Sequence, residues 1–254
     1  RGELTAVVTF EPLPLAFFHP VGAPARLTTV WQKLNQLRSA GIDITWLMRF
    51  NKALAELSAS SFAEQVLADK MQARAVVVGE DFRFGRGKAG DVNLLNQLGR
   101  ELGFDVAVVP DVIIAGERVS SSGIRARLAQ GDFEGAARLL GRPFSMEGHV
   151  CRGAGLGRKL GGVLAAFSRV AGGPWLPTVT NLGSRPVVDG KETLLEVHFF
   201  DFDEDLYGKR LEVQFVAKLR DELNFDTLDE LVEQMKRDEH QARELLAAAG
   251  TLYG

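Results

Sequence analysis

The sequence has 254 residues, of which 46% are hydrophobic and 25% charged, with a formal net charge of −3. That length favours two domains, each large enough to bury its own core, and the composition is that of folded globular chains, not disordered ones. An acidic balance with no basic block argues against general affinity for nucleic-acid backbones, and no apolar run is long enough to span a bilayer. The lone Cys151 can form no internal disulfide, which fits a reducing cytoplasm, and His19, His149, His198 and His240 lack metal-ligand spacing, so no metal ligands are assigned.

Near-continuous apolar runs at Leu4 to Phe10, Ile44 to Phe50, Ala75 to Gly79 and Phe104 to Val109 predict strands. Helical spacing predicts helices at Val30 to Ala40, Ser60 to Met71, Asn93 to Leu102, Ser121 to Ala129 and Asp132 to Leu140. Strands alternating with helices imply a doubly wound parallel α/β sheet. Thr9-Phe10-Glu11-Pro12-Leu13-Pro14 ends the first strand in a rigid proline turn. The loop Gly79 to Gly90 follows a strand, at the sheet edge where such folds bind ligands. Its glycines let backbone approach a ligand, Arg83, Arg86 and Lys88 offer charge for phosphate, and Phe82 and Phe84 offer flat faces. A surface loop with buried aromatics is an equally good reading. Ser120-Ser121-Ser122-Gly123-Ile124-Arg125 reads as a helix start able to receive an anion, although ordinary capping explains the serines.

Gly141-Arg142-Pro143 breaks the pattern, placing a boundary between domains 1–142 and 143–254. Strands at Met146 to Cys151, Thr178 to Asn181, Thr193 to Phe202 and Leu211 to Val216, with no helix between them, predict a small antiparallel β-barrel. A C-terminal helix follows over Thr227 to Ala249 with Thr227 as its cap. Arg152 to Lys159 is a glycine-rich loop with Gly153, Gly155, Gly157 and Arg158. It suits either phosphate wrapping or a flexible turn, and no helix follows to make it a dinucleotide fingerprint. Alternation sets Glu196 and His198 on one strand face, where Glu196 is a candidate base and equally an outward residue.

Taken in order, these segments resemble the bacterial bifunctional riboflavin kinase and FMN adenylyltransferase family over nearly the whole chain. The segments Thr9 to Pro12, Ala25 to Thr28, Val78 to Gly85 and Ser120 to Arg125 are similar to its adenylyltransferase motifs. Gly153 to Lys159, Thr180 to Pro186, Leu195 to His198, Asp205 to Gly208 and Leu219 to Glu222 are similar to its kinase motifs. The resemblance implies a nucleotidyltransferase-like first domain that adenylylates FMN to FAD, releasing pyrophosphate, and a second that phosphorylates riboflavin. ATP would be gripped by Ser121, Ser122 and Arg125 in the first. Asp81, Phe82 and Phe84 would shape its flavin side. In the second, Glu196 would act as base, Gly153, Gly155, Gly157 and Arg158 would hold ATP, Asn181 would form the site floor, and Arg220 would stand on a flavin-side loop. Mg²⁺ would bridge the phosphates in both, and the partners would be riboflavin, FMN and ATP, with no nucleic acid and no membrane. The sequence sets no oligomeric state.

Two family features are missing: the first strand with its G-x-F-D-G-x-H-x-G-H signature, and an F-P-T-A-N motif after Gly161. Both are expected in the full protein as mobile phosphate loops, giving a mass above 27.7 kDa. Leu13 stands where the family often has His. A noncatalytic flavin-nucleotide binder is the alternative; an RNA-binding barrel fits the acidic balance poorly.

Overall fold

The computed structural model describes residues 3–151, 162–187, 190–221 and 223–253. They gather into two compact units, Arg1–Ala25 with Leu34–Arg118, and Arg26–Lys33 with Val119–Gly254.

In the first unit β1 (Ala6–Glu11) leads into α1 (Pro14–Phe18), a short helix begun by a proline whose fixed φ suits the first helical position. The proline segment expected to be a turn is therefore half helix. Helix α2 (Val30–Ser39) starts among residues of the second unit and ends among those of the first. Strand β2 (Ile44–Arg49) pairs parallel to β1. Two short helices follow, α3 (Lys52–Ala55) and α4 (Ala59–Phe62), and α4 runs on into a π-helical stretch over Ala63–Lys70. Strand β3 (Ala75–Gly79), helix α5 (Val92–Leu102) and strand β4 (Asp105–Val109) form a βαβ unit whose strands are parallel. Asp91 caps α5 by accepting the Leu94 amide at 2.9 Å, and Gly103 ends it in the left-handed region. Strands β5 (Ile113–Ile114) and β6 (Glu117–Arg118) make a hairpin around Ala115-Gly116, both at positive φ.

Parallel pairing with intervening helices is what the sequence pattern requires, and among the described residues it is divided between two pairs, β1-β2 and β3-β4. Leu95, Leu98, Val66, Ala63, Phe84 and Phe104 form the core, with Val76 and Val78 of β3 and Trp46 and Met48 of β2 packed on it.

In the second unit α6 (Ser121–Ala129) and α7 (Phe133–Leu140) precede a five-stranded antiparallel sheet. Its strands are β7 (Ser145–His149), β8 (Gly162–Val170), β9 (Leu176–Val187), β10 (Gly190–Phe199) and β11 (Arg210–Arg220), in the order β10-β9-β8-β11-β7. Helix α8 (Leu228–Tyr253) closes the chain, with the Thr227 hydroxyl accepting the Glu230 amide at 3.2 Å as expected of its cap.

Because side chains alternate along a strand, β8 feeds two cores. Leu164 and Ala166 join Val213, Phe215, Phe199 and Phe133 on one face, while Ala165 meets Ala242 and Leu246 of α8 on the other. Three buried hydroxyls are satisfied within the sheet: Ser168 and Thr178 share a bond of 2.8 Å, Thr178 donates to the Ala166 carbonyl and Thr180 to that of Leu164.

Gly85 tests how tightly the loop after β3 is packed. At φ 74°, ψ 176° it occupies a region kept for glycine, and an added Cβ would lie 2.6 Å from the Ala59 Cα. Gly87, at φ 61°, has open space around it. Gly85→Ala should therefore destabilise the unit by about 3 kcal/mol and Gly87→Ala by about 1 kcal/mol. Urea denaturation midpoints would separate them.

Candidate functional site

The loop after β3 is a closed structure. Phe84 and Gly90 exchange backbone hydrogen bonds of 3.1 and 2.9 Å, and the Arg86 amide donates to the Leu57 carbonyl at 2.7 Å. Phe82 stacks on Phe84 with ring centres 5.4 Å apart and planes 15° apart. Phe82 is half-buried and Phe84 is buried in the core, so Phe82 has a face to offer and Phe84 supports it from behind. Of the glycines expected to admit a ligand, Gly85 and Gly90 instead admit Ala59 and the Phe84 ring.

Asp81 is exposed and paired at 2.7 Å with Arg118, which also reaches Asp111 at 2.7 Å. The Arg118 hydrogen bond holds the Asp81 carboxyl below its usual range. The clasp joins the loop after β3 to that after β4.

Where β1 and β2 end, four aromatic rings meet edge to face: Phe10 with Phe50, Phe17 with Phe18, and both of these with Phe50, at 5.4 to 5.8 Å. Phe18 is 57% exposed. The signal for this cluster lies in the sequence, as Phe10 and Phe50 at the ends of two apolar runs and the Phe17-Phe18 pair beyond the prolines, which the proline-turn reading leaves out.

At the start of α6 the cap is Ser120, whose hydroxyl accepts the Gly123 amide at 3.0 Å. Ser121 and Ser122 are thereby left exposed in the first turn, with Arg125 half-buried one turn on.

In the antiparallel sheet Glu196 of β10 stands opposite Asn181 of β9. The Asn181 Nδ2 donates to the Glu196 carboxylate at 3.3 Å. Asn181 Oδ1 is buried with no partner, and Glu196 is exposed, as is His198 on the same strand face. Two residues chosen separately from sequence are thus neighbours across one register position.

Comparison with known proteins accounts for both halves. The FAD synthetase family model matches residues 1–123 and the riboflavin kinase family model residues 161–246. The bifunctional riboflavin kinase/FMN adenylyltransferase of Escherichia coli K12 is 39% identical over 254 residues, covering 94% of this chain and 81% of that protein. Its Pseudomonas fluorescens counterpart is 40% identical, covering 97% and 84%. The chain belongs to the bifunctional riboflavin kinase/FMN adenylyltransferase family. A crystal structure of a macrolide-efflux protein from Streptococcus pneumoniae is similar with a TM-score of 0.77 and 26% identity, covering 94% of this chain and 83% of that one. Among the described residues no helix is long and apolar enough to cross a membrane.

Set against the family's kinase motifs, Arg220 is already occupied. Its Nε and Nη2 donate to Asp238 of α8 at 2.7 to 3.0 Å, its Nη1 donates to the Asp221 carbonyl, and both side chains of the ion pair are largely buried. The role this geometry gives Arg220 is to fix the loop after β11 against α8. The loop residues Gly153, Gly155, Gly157 and Arg158 lie outside the described residues. Gly161 and Gly162 are consecutive in the sequence, so the F-P-T-A-N motif expected as a mobile stretch between them is not there, and β8 begins at Gly162 itself.

The Arg220–Asp238 pair makes a quantitative expectation. Removing one partner strands a buried charge, so Asp238→Ala should cost about 3 kcal/mol. Asp238→Asn, which retains an acceptor, should cost less. Denaturant unfolding monitored by far-UV circular dichroism reads both.

Proposed function

We propose that the chain converts riboflavin to FAD in two ATP-dependent steps, with residues 143–254 making FMN and residues 1–142 adenylylating it. The observation that carries this reading is the pairing of Glu196 with Asn181 on adjacent strands in a member of this family. A carboxylate held by a neighbouring amide on rigid backbone is placed to accept a proton.

In the kinase step the riboflavin 5′-oxygen attacks the γ-phosphorus of ATP and its proton passes to Glu196, while ADP departs. Phosphoryl transfer depends chiefly on position and charge neutralisation. Among the described residues no three His, Cys, Asp or Glu side chains gather. That suits Mg²⁺, which is ordinarily held by substrate phosphates and few protein oxygens, and Asn181 Oδ1, an acceptor without a donor, is the oxygen that would face it. When bound, the ion neutralises phosphate charge. Arg220 acts here by position, holding the loop after β11.

In the adenylyltransferase step Ser121, Ser122 and Arg125 grip the ATP phosphates at the start of α6. Exposed Ser121 and Ser122 in the first turn of a helix support that role. Asp81 and Phe82, backed by Phe84, line the flavin side, and Phe17, Phe18 and Phe50 offer further ring faces for the isoalloxazine. Use of ATP by both steps supports a cytoplasmic location.

The direct passage from Gly161 to Gly162 favours a second reading, in which the kinase half binds flavin and nucleotide without transferring phosphate. Incubating the chain with riboflavin, ATP and Mg²⁺ and separating the flavins decides between them. FMN and FAD appear under the first reading; under the second, FAD forms only when FMN is supplied.

Two substitutions separate the active sites. Glu196→Gln preserves shape and removes the base, so FMN formation should fall about 10² to 10⁴-fold while FAD formation from supplied FMN continues. Arg125→Ala should lower FAD formation by about 10²-fold or more and leave the kinase intact. Near wild-type riboflavin phosphorylation by Glu196→Gln would make Glu196 an outward strand residue only.

A further inference from the structure

The loop after β3 carries three acids and three bases, and the structure pairs them unequally. Asp91 takes Arg83 at 3.4 Å and Asp81 takes Arg118 at 2.7 Å. Glu80 sits at the strand end of the loop. Arg86 and Lys88 are both exposed, and among the described residues neither has an acidic partner within salt-bridge distance. They flank Gly87 in a single 3₁₀ turn at the loop's tip.

That tip is held rigidly from beneath. The Phe84–Gly90 bridge closes its base, the Arg86 amide is anchored on the Leu57 carbonyl, and Gly85 lies against Ala59 with no room for a methyl group. Lys88 has a left-handed backbone at φ 59°, unfavourable for a residue with a Cβ, and the surrounding structure holds it there. Two unpartnered cations on a fixed turn at the C-terminal edge of a parallel strand pair form a preorganised positive site at the position where such sheets take ligands.

We propose that the Arg86–Gly87–Lys88 tip is a phosphate subsite of the adenylyltransferase half. This rests on the function proposed above and adds two fixed cations to that half, in addition to the α6 residues. The FMN phosphate oxygen forms its bond to the α-phosphorus of ATP as the bond from that phosphorus to the bridging oxygen breaks, and pyrophosphate leaves with the electron pair. A dianionic phosphate must therefore be brought close to a polyphosphate. Cations already in place lower the repulsion between them. The phosphate at the tip belongs to FMN or to the departing pyrophosphate, and the two are separable.

The test is the double variant Arg86→Met with Lys88→Met in the full chain, which keeps the aliphatic stems and removes no contact seen in the structure. Steady-state FAD synthesis gives KM for FMN and for ATP, and calorimetric titration with FMN and with pyrophosphate reads the subsite whether or not the chain turns over. A rise of about 10-fold or more in the KM and Kd of FMN, with ATP unchanged, places the FMN phosphate there; the same rise for ATP and pyrophosphate places the leaving group there. Lys88→Arg should restore part of the loss, and added salt should weaken wild-type binding more than that of the double variant. Unchanged affinity for both FMN and pyrophosphate overturns the proposal. Absence of FAD synthesis in the wild-type chain would instead count against the adenylyltransferase reading, and the titrations would still decide the subsite.

Discussion

Strand β8 has hydrogen-bonded neighbours on both edges and apolar packing on both faces, and the rest of the second unit is arranged around that constraint. A register slip of one residue along it would exchange Leu164 and Ala166 with Ala165, driving larger side chains toward α8 and leaving the opposite core underfilled. The register so fixed is carried through β9 to β10, and it is what sets Asn181 opposite Glu196. Position at this candidate site is thus tied to packing one and two strands away. Neither residue contributes to the core, so selection of chemistry at that register position is separated from stability of the sheet.

Charge is used in two ways that differ by burial. Arg220 and Asp238 are shielded from water, and their bond ties β11 to α8 with a cost to removal that exposed pairs lack. The Arg118 clasp on Asp81 and Asp111 is open to solvent, where ion pairs contribute little to stability. Its effect is to hold the loop after β3 near the loop after β4 and to keep Asp81 ionised, since the folded carboxyl is depressed and stays charged until the pH falls below its ordinary range. The clasp is therefore better understood as geometry for the loop than as a contribution to folding.

Where local pattern and tertiary role agree, the sequence was legible: β3 and α6 have the bounds that periodicity predicts, and Thr227 caps α8. Strand β8 was not seen because burial on both faces suppresses alternation and its two alanines carry weak strand preference. Helix α1 was hidden by reading Pro14 as the end of an element when it begins one. At the site, residue types were recognisable and their burial was not. Phe84 looks as available as Phe82 in sequence and proves to be core, while Arg220, which the resemblance sets on a flavin-side loop, is half of an ion pair with a residue eighteen positions away. Such distinctions depend on partners distant in sequence, which no local spacing reveals.

The glycines of the loop after β3 carry the same lesson into mechanism. Read as permissive positions, they suggest backbone lying close to a ligand. In the folded chain Gly85 and Gly90 admit the protein's own atoms instead, since the missing side chains let Ala59 and the Phe84 ring close on the backbone. Only Gly87 is surrounded by open space, and it lies at the tip. Catalysis of a transfer between two anions gains most when the cations are fixed before substrate arrives, because no binding energy is then spent on ordering them. A glycine-rich loop clamped at its base and open at one residue meets that requirement better than a flexible one.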